Sequence, residues 1–155
     1  MNTGKQTLLY AQYRPRLLAR LRAFLLMEES LLRRYGRVME LIRRDILEED
    51  TTSLEEHNRI EQSLIRELSE LRRSIAPLRR QAEEQESGGL PELAPLESAS
   101  ASLVRQALEQ NRKNRELLEE RLPLLRQRQQ ESRSRRIPGF SGSAPADSRY
   151  LNLSV

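Results

Sequence analysis

Cysteine and tryptophan are absent from this 155-residue chain, histidine occurs once, and aromatic residues make up 4%. Without cysteine there is no disulfide framework, no thiolate nucleophile and no cysteine-ligated zinc or iron–sulfur site. The single histidine, His57, cannot assemble a multi-histidine metal site, and its position beside Glu55 and Glu56 reads as a surface or helix-edge residue. No apolar run approaches the roughly 18–20 residues that cross a bilayer; the richest stretch is Ala23-Phe24-Leu25-Leu26-Met27. The N-terminus also lacks the apolar segment of a signal peptide. A soluble, cytoplasmic protein with no membrane insertion is therefore expected. The six glycines form neither a GxGxxG nor a GxxxxGK loop, which removes the usual phosphate cradles. Carboxylate pairs such as Glu28-Glu29 and Glu119-Glu120 are adjacent in sequence, so on a helix they point apart and cannot work as an acid–base couple. No catalytic constellation, no metal and no cofactor is expected.

What the chain does contain is charge and leucine. Charged residues reach 32% and apolar residues 37%, and the abundance of Leu, Glu, Arg, Gln and Ala is the composition of long helices. The fold class is all-α, and the length fits one domain. Of the 27 basic residues 25 are arginine, yet they alternate with acids, as on a solvated helix face with i,i+4 pairs. The net charge of +4 is uneven: residues 51–101 carry −4 and residues 102–155 carry +5.

Helix 1 is the clearest object. Leu18, Leu25, Leu32, Met39 and Ile46 recur every seven residues, Leu21, Tyr35 and Ile42 hold the complementary position, and Leu17, Phe24, Leu31 and Val38 make a third series. The result is a wide apolar stripe near 15–48, suited to packing against two partner helices. Pro15 fits the first turn. Glu28 and Gly36 interrupt the stripe; each marks either a tolerated imperfection or a place where another chain lies close. Ser53 with Glu56 forms a capping box, and Thr52 with Glu55 offers the same device one residue earlier. Helix 2, near 54–82, carries Leu64, Leu68, Leu71, Ile75 and Leu78, with Pro77 expected to kink or end it near Ala76. A turn this short makes the first two helices an antiparallel hairpin.

Residues 83–101, with Gly88-Gly89, Pro91, Pro95 and the serines from Ser98 to Ser102, read as a linker. Helix 3, near 102–130, carries Leu103, Val104, Leu108, Leu117, Leu118, Leu122 and Leu125, with a bend expected at Pro123. From Ser132 onward, Ser, Arg, Gly and Pro predict a disordered tail over 132–155, closed by the apolar cluster Tyr150, Leu151 and Leu153. The expected architecture is a three-helix, coiled-coil-like bundle over residues 1–131 with this tail attached.

Asn111, Asn114 and Leu118 share one face of helix 3, which places amides on a leucine-lined surface. Two amides there either fix register by hydrogen bonds, form a surface for another helix, or lie at the exposed edge of the stripe. The broad stripe also carries more apolar surface than a small bundle hides, which marks either a helix-in-groove binder or a homo-oligomer.

The leucine-rich first helix with Glu28-Glu29, the capped second helix, and the Asn-x-x-Asn-x-x-Leu-Leu pattern of Asn111, Asn114, Leu117 and Leu118 resemble the FlgN family of flagellar export chaperones over about residues 10–130. The resemblance implies a small cytoplasmic helical chaperone. Such a chaperone grips the amphipathic C-terminal helix of hook–filament junction proteins before their type III export. On that reading Asn111, Asn114, Leu117, Leu118, Leu122 and Leu125 contact the client, and Tyr150, Leu151 and Leu153 dock to an export-gate protein. Two competing readings are a structural coiled-coil or adaptor protein of another assembly, and a nucleic-acid-associated protein using the Arg-rich third helix with Ser132 to Arg136.

Overall fold

The structure, a computed structural model, describes residues 3–85 and 90–136. The first helix, α1, spans Thr3–Glu48; α2 spans Thr51–Gln85; a single 3-10 turn over Pro91–Leu93 leads into α3, Ala94–Arg136. The hairpin between α1 and α2 is built from one shared residue. Glu49 takes a left-handed conformation (φ 56°), its N–H bonds the Ile46 carbonyl, and the Asp50 N–H reaches back to the Asp45 carbonyl. This pair of bonds is a Schellman motif, in which the last open carbonyls of α1 are satisfied. Asp50 then starts α2. Its Oδ1 accepts the N–H groups of Thr52 and Ser53 at 3.2 and 3.1 Å, and its Oδ2 accepts the Ser53 hydroxyl at 2.8 Å. The N-cap of α2 is therefore Asp50 and not Ser53, because a carboxylate one residue upstream of the threonines reaches two free donors at once.

The helices are longer than the sequence pattern suggests. Helix α1 begins twelve residues before Pro15, α2 runs through Pro77, and α3 runs through Pro123. All three prolines are exposed, so each helix gives up one backbone bond on its water-facing side and continues. The linker expected over 83–101 is mostly helical. Pro91 opens the 3-10 turn and Pro95 sits in the first turn of α3, where a missing N–H costs nothing. Residues 132–136, expected to begin the tail, are the last turn of α3. The remainder of the expected tail lies outside the described residues.

Helix α1 is the centre of the molecule. It packs against α2 along one side and against α3 along another, whereas α2 and α3 scarcely meet. The wide stripe thus serves two neighbours, and α3 runs parallel to α1: Arg14 pairs with Glu92 of the 3-10 turn at 2.8 Å, Asn111 bonds Tyr35, and Arg128 pairs with Glu49. The core falls into two blocks. Leu21, Leu25, Leu71, Ile75, Ala82 and Leu93 form one; Tyr35, Met39, Ile42, Ile46, Leu64 and Leu125 belong to the other. Between the two blocks along α1 stands Glu28, buried and bonded by Arg72 Nε of α2 at 2.7 Å. It is an ion-paired strut within the chain. At Gly36, apart from the backbone of its own helix and its chain neighbours, nothing lies within 4 Å of where a Cβ would stand, so no neighbouring element of the described chain requires glycine there.

Candidate functional site

Because α2 and α3 part, a trough runs between them along α1. Near the wide end it is about 820 Å³, with Ile75 and Ala76 of α2 facing Ala101 and Val104 of α3. Toward the hairpin lies a separate cavity of about 50 Å³, where Met39, Ile42 and Ile46 meet Glu61, Asn111 and Leu118. Two polar bridges span the gap near its ends, Arg79 to Glu97 at 3.4 Å and Gln129 Nε2 to Glu55 Oε1 at 3.1 Å. Leu108, half exposed, shares the α3 face of Val104, Asn111 and Arg115.

A buried polar layer crosses this narrow cavity. Tyr35 of α1 donates its hydroxyl to Glu61 Oε1 of α2 at 3.0 Å. The same hydroxyl oxygen accepts Nδ2 of Asn111 from α3 at 3.2 Å. One turn on, Asn114 Nδ2 donates to the Met39 carbonyl at 2.8 Å, and its Oδ1 accepts Gln110 Nε2 at 3.1 Å. Desolvation pushes the Glu61 carboxyl above the usual carboxylate range, against the Tyr35 hydrogen bond and the nearby Arg115 charge, which hold it down. Burial, followed by the Glu61 charge, pushes the Tyr35 hydroxyl well above its ordinary value. Both groups are thus held in place and are poor acids. The layer fixes register among three helices: sliding α3 by one residue breaks both bonds it makes to α1, Asn111 to Tyr35 and Asn114 to the Met39 carbonyl.

The sequence-predicted residues divide accordingly. Asn111, Asn114 and Leu118 line the narrow cavity, and both amides make the register-fixing bonds that were one of their possible roles. Leu117 and Leu118 pack, partly buried, on the core block that contains Leu125, which is itself buried. Leu122 is half-buried. Tyr150, Leu151 and Leu153 lie outside the described residues. His57 is less exposed than a surface residue: its Nδ1 lies 2.5 Å from Asp45 Oδ2, and Asp45 is 2% exposed. Sequence reading overlooked Asp45, Glu61 and Arg115, although two of them carried a signal. Asp45 is the next member of the series Leu17, Phe24, Leu31, Val38, and Glu61 is the next member, toward the N-terminus, of the Leu64, Leu68, Leu71 series. A lone acid on a heptad position marks a buried partner.

Among the described residues no cluster of three or more His, Asp or Glu is placed to hold a metal, and no helix is long and apolar enough to cross a membrane. Fold and site together define an all-helical protein, a three-helix bundle left open along one side. No family model matches this chain, and neither a curated protein nor a solved structure does.

Proposed function

We propose that the protein is a helix-binding chaperone, of the kind the FlgN-like pattern implies, which keeps a hook–filament junction protein unassembled until type III export. The observation that carries this reading is the open trough between α2 and α3: its walls are built, and a fourth helix is the element that would close it. An amphipathic client helix laid there hides its apolar face and cannot use that face for assembly. The α3 residues Asn111, Asn114 and Leu118 contribute to the floor, with Leu117, Leu122 and Leu125 securing α3 beneath it. Tyr150, Leu151 and Leu153 serve as a separate anchor for the export gate, so that one partner can be held while another is met.

The experiment blocks the trough without touching the core. Ala76 and Ala101 are exposed and face it. The double substitution Ala76→Arg/Ala101→Arg should abolish binding of C-terminal helices of hook–filament junction proteins while circular dichroism stays unchanged. Undiminished binding would place the client elsewhere, and a wild-type chain that binds no junction-protein helix would overturn the reading. Truncation at Ser148 should remove gate binding and spare client affinity.

A further inference from the structure

Three heptad series of α1 alternate with the buried ones and form the side of the helix turned away from α2 and α3. Between residues 16 and 37 these series hold ten residues, and all ten are exposed. Five are arginines, Arg16, Arg20, Arg33, Arg34 and Arg37, and none is an acid; the next acid in the series is Glu40. The outer side of α2 is different, because there Arg59, Arg66 and Arg73 alternate with Glu56, Glu67 and Glu70.

Acids at the edges neutralise only part of this charge. Glu29 pairs with Arg33 at 2.8 Å, and Glu67 of α2 pairs with Arg34 at 3.8 Å. Glu109 of α3 borders the same side near Arg37, but it is taken by Arg112 and Lys113. Among the described residues Arg16, Arg20 and Arg37 have no carboxylate within 4 Å. Arg20 instead stands over the Phe24 ring, 5.7 Å from its centre.

Midway along this basic stretch stand two large apolar side chains, Leu26 and Met27, 47% and 53% exposed. The remaining places are small: Ala19, Ala23 and Ser30. A phosphate polymer would satisfy the guanidinium groups and leave Leu26 and Met27 in water. An anionic bilayer surface receives both kinds of group, with lipid phosphates for the arginines and the acyl boundary just beneath for the apolar pair. The long arginine stems let the charged heads stay at the phosphates while the helix settles below them. The small residues let its backbone come close. From Arg16 to Arg37 the stretch is about 31 Å long at the helical rise.

We propose that the outer side of α1, over residues 16–37, lies on the surface of an anionic phospholipid bilayer with Leu26 and Met27 at the boundary between headgroups and acyl chains. The contact is peripheral, since among the described residues no helix is long and apolar enough to cross. Helices α2 and α3 pack on the opposite side of α1, so the trough between them stays open to solution in the bound state.

The test uses the full chain with sedimenting vesicles of phosphatidylcholine alone, or of phosphatidylcholine mixed with phosphatidylglycerol. The wild-type chain should pellet with the mixed vesicles and not with the neutral ones. Arg16→Gln/Arg20→Gln/Arg37→Gln should weaken that binding by at least about tenfold. Arg59→Gln/Arg66→Gln/Arg73→Gln removes the same charge from α2 and should change it by less than about threefold. All six positions are exposed, so both variants should keep the wild-type circular dichroism. The chain has no tryptophan, so Met27→Trp supplies a single reporter that does not depend on the arginine variants. Its emission should shift to the blue with the mixed vesicles. Equal losses in the two triple variants would reduce the attraction to net charge and overturn the assignment to α1. An unshifted tryptophan emission would overturn the docking of the apolar pair. A wild-type chain that binds single-stranded DNA and neither kind of vesicle would give this surface to nucleic acid and overturn the proposal.

Discussion

At the scale of single residues, stability around the narrow cavity rests on one hydroxyl. Tyr35 Oη gives a proton to Glu61 and receives one from Asn111, so Tyr35→Phe strands a buried carboxylate and a buried amide together. A loss of about 2–3 kcal/mol in urea unfolding is expected. Glu61 itself opposes folding when charged. Its carboxyl is raised in the folded state, so the folded chain holds that proton more tightly than the unfolded chain. Stability from this group is present at pH below the ordinary carboxylate value and is lost as pH rises through the raised one. Glu61→Gln keeps an acceptor for Tyr35 and removes the titration. The stability difference between wild type and Glu61→Gln should therefore shrink on acidification, as measured by urea midpoints from pH 4 to 8, and a difference independent of pH would refute the assignment. Asp45 is a buried acid that depends on one partner, His57. His57→Ala leaves it unpaired and should cost about 3–5 kcal/mol, whereas the double change Asp45→Leu/His57→Leu should recover most of that loss.

At the scale of elements the two neighbours of α1 are held differently. Helix α2 buries Leu64, Leu71, Ile75 and Ala82 with one polar residue, Glu61, whereas the buried residues of α3 are Ser100, Asn111, Asn114 and Leu125. Apolar burial sets most of the docking energy, so α3 should open before α2. Hydrogen exchange under native conditions should show α3 amides exchanging through a sub-global opening, with α1 and α2 protected longer; equal protection of α2 and α3 would contradict this. The start of α2 rests on Asp50, whose carboxyl is lowered by the hydrogen bonds it accepts from Ser53 and Thr52. Asp50→Ala should cost about 1 kcal/mol at neutral pH, a difference that fades as pH falls through the lowered value. These elements were unequally legible. The heptads of α1 and the leucines of α2 are periodic enough to read directly, and the hairpin follows from the short polar turn between them. The first turns of α3 were hidden because Pro91, Pro95 and the serines carry loop composition, although helix starts accept proline and buried serine alike. Pro15 misled for a related reason: an exposed proline weakens a long packed helix without ending it. The trough was beyond sequence reading, since whether α2 and α3 touch depends on where α1 places them and on no pattern within either helix.

At the scale of the whole molecule the question is what an open bundle with net charge +4 attracts. Some of the arginines lie beside acids: Arg33 with Glu29, Arg34 with Glu67, and Arg121 and Arg128 with Glu49. Arg112 lies between Glu109 and Glu116, and the guanidinium holds Glu109 down at about 2. At these pairs a phosphate polymer would have to displace acids to reach the guanidinium groups. An amphipathic helix instead meets the apolar side chains of the wide part, Ile75, Ala76, Ala101 and Val104. Occupation by a helix that binds only the folded chain stabilises it through linkage by about 2.7 kcal/mol at a hundredfold excess over Kd. For a chain of this length that is a rise in Tm of roughly 6–10 °C. Apolar burial is unscreened. The rise produced by a junction-protein helix peptide should therefore persist, within about a degree, between ~50 and ~200 mM salt, whereas binding through six or more phosphate contacts would lose roughly a thousandfold in affinity over the same interval. Differential scanning fluorimetry at the two salt concentrations, with the peptide and separately with single-stranded DNA, separates the two. A thermal shift that vanishes with the peptide at the higher salt, or one that DNA alone produces, would mean that the surface charges and not the trough do the binding.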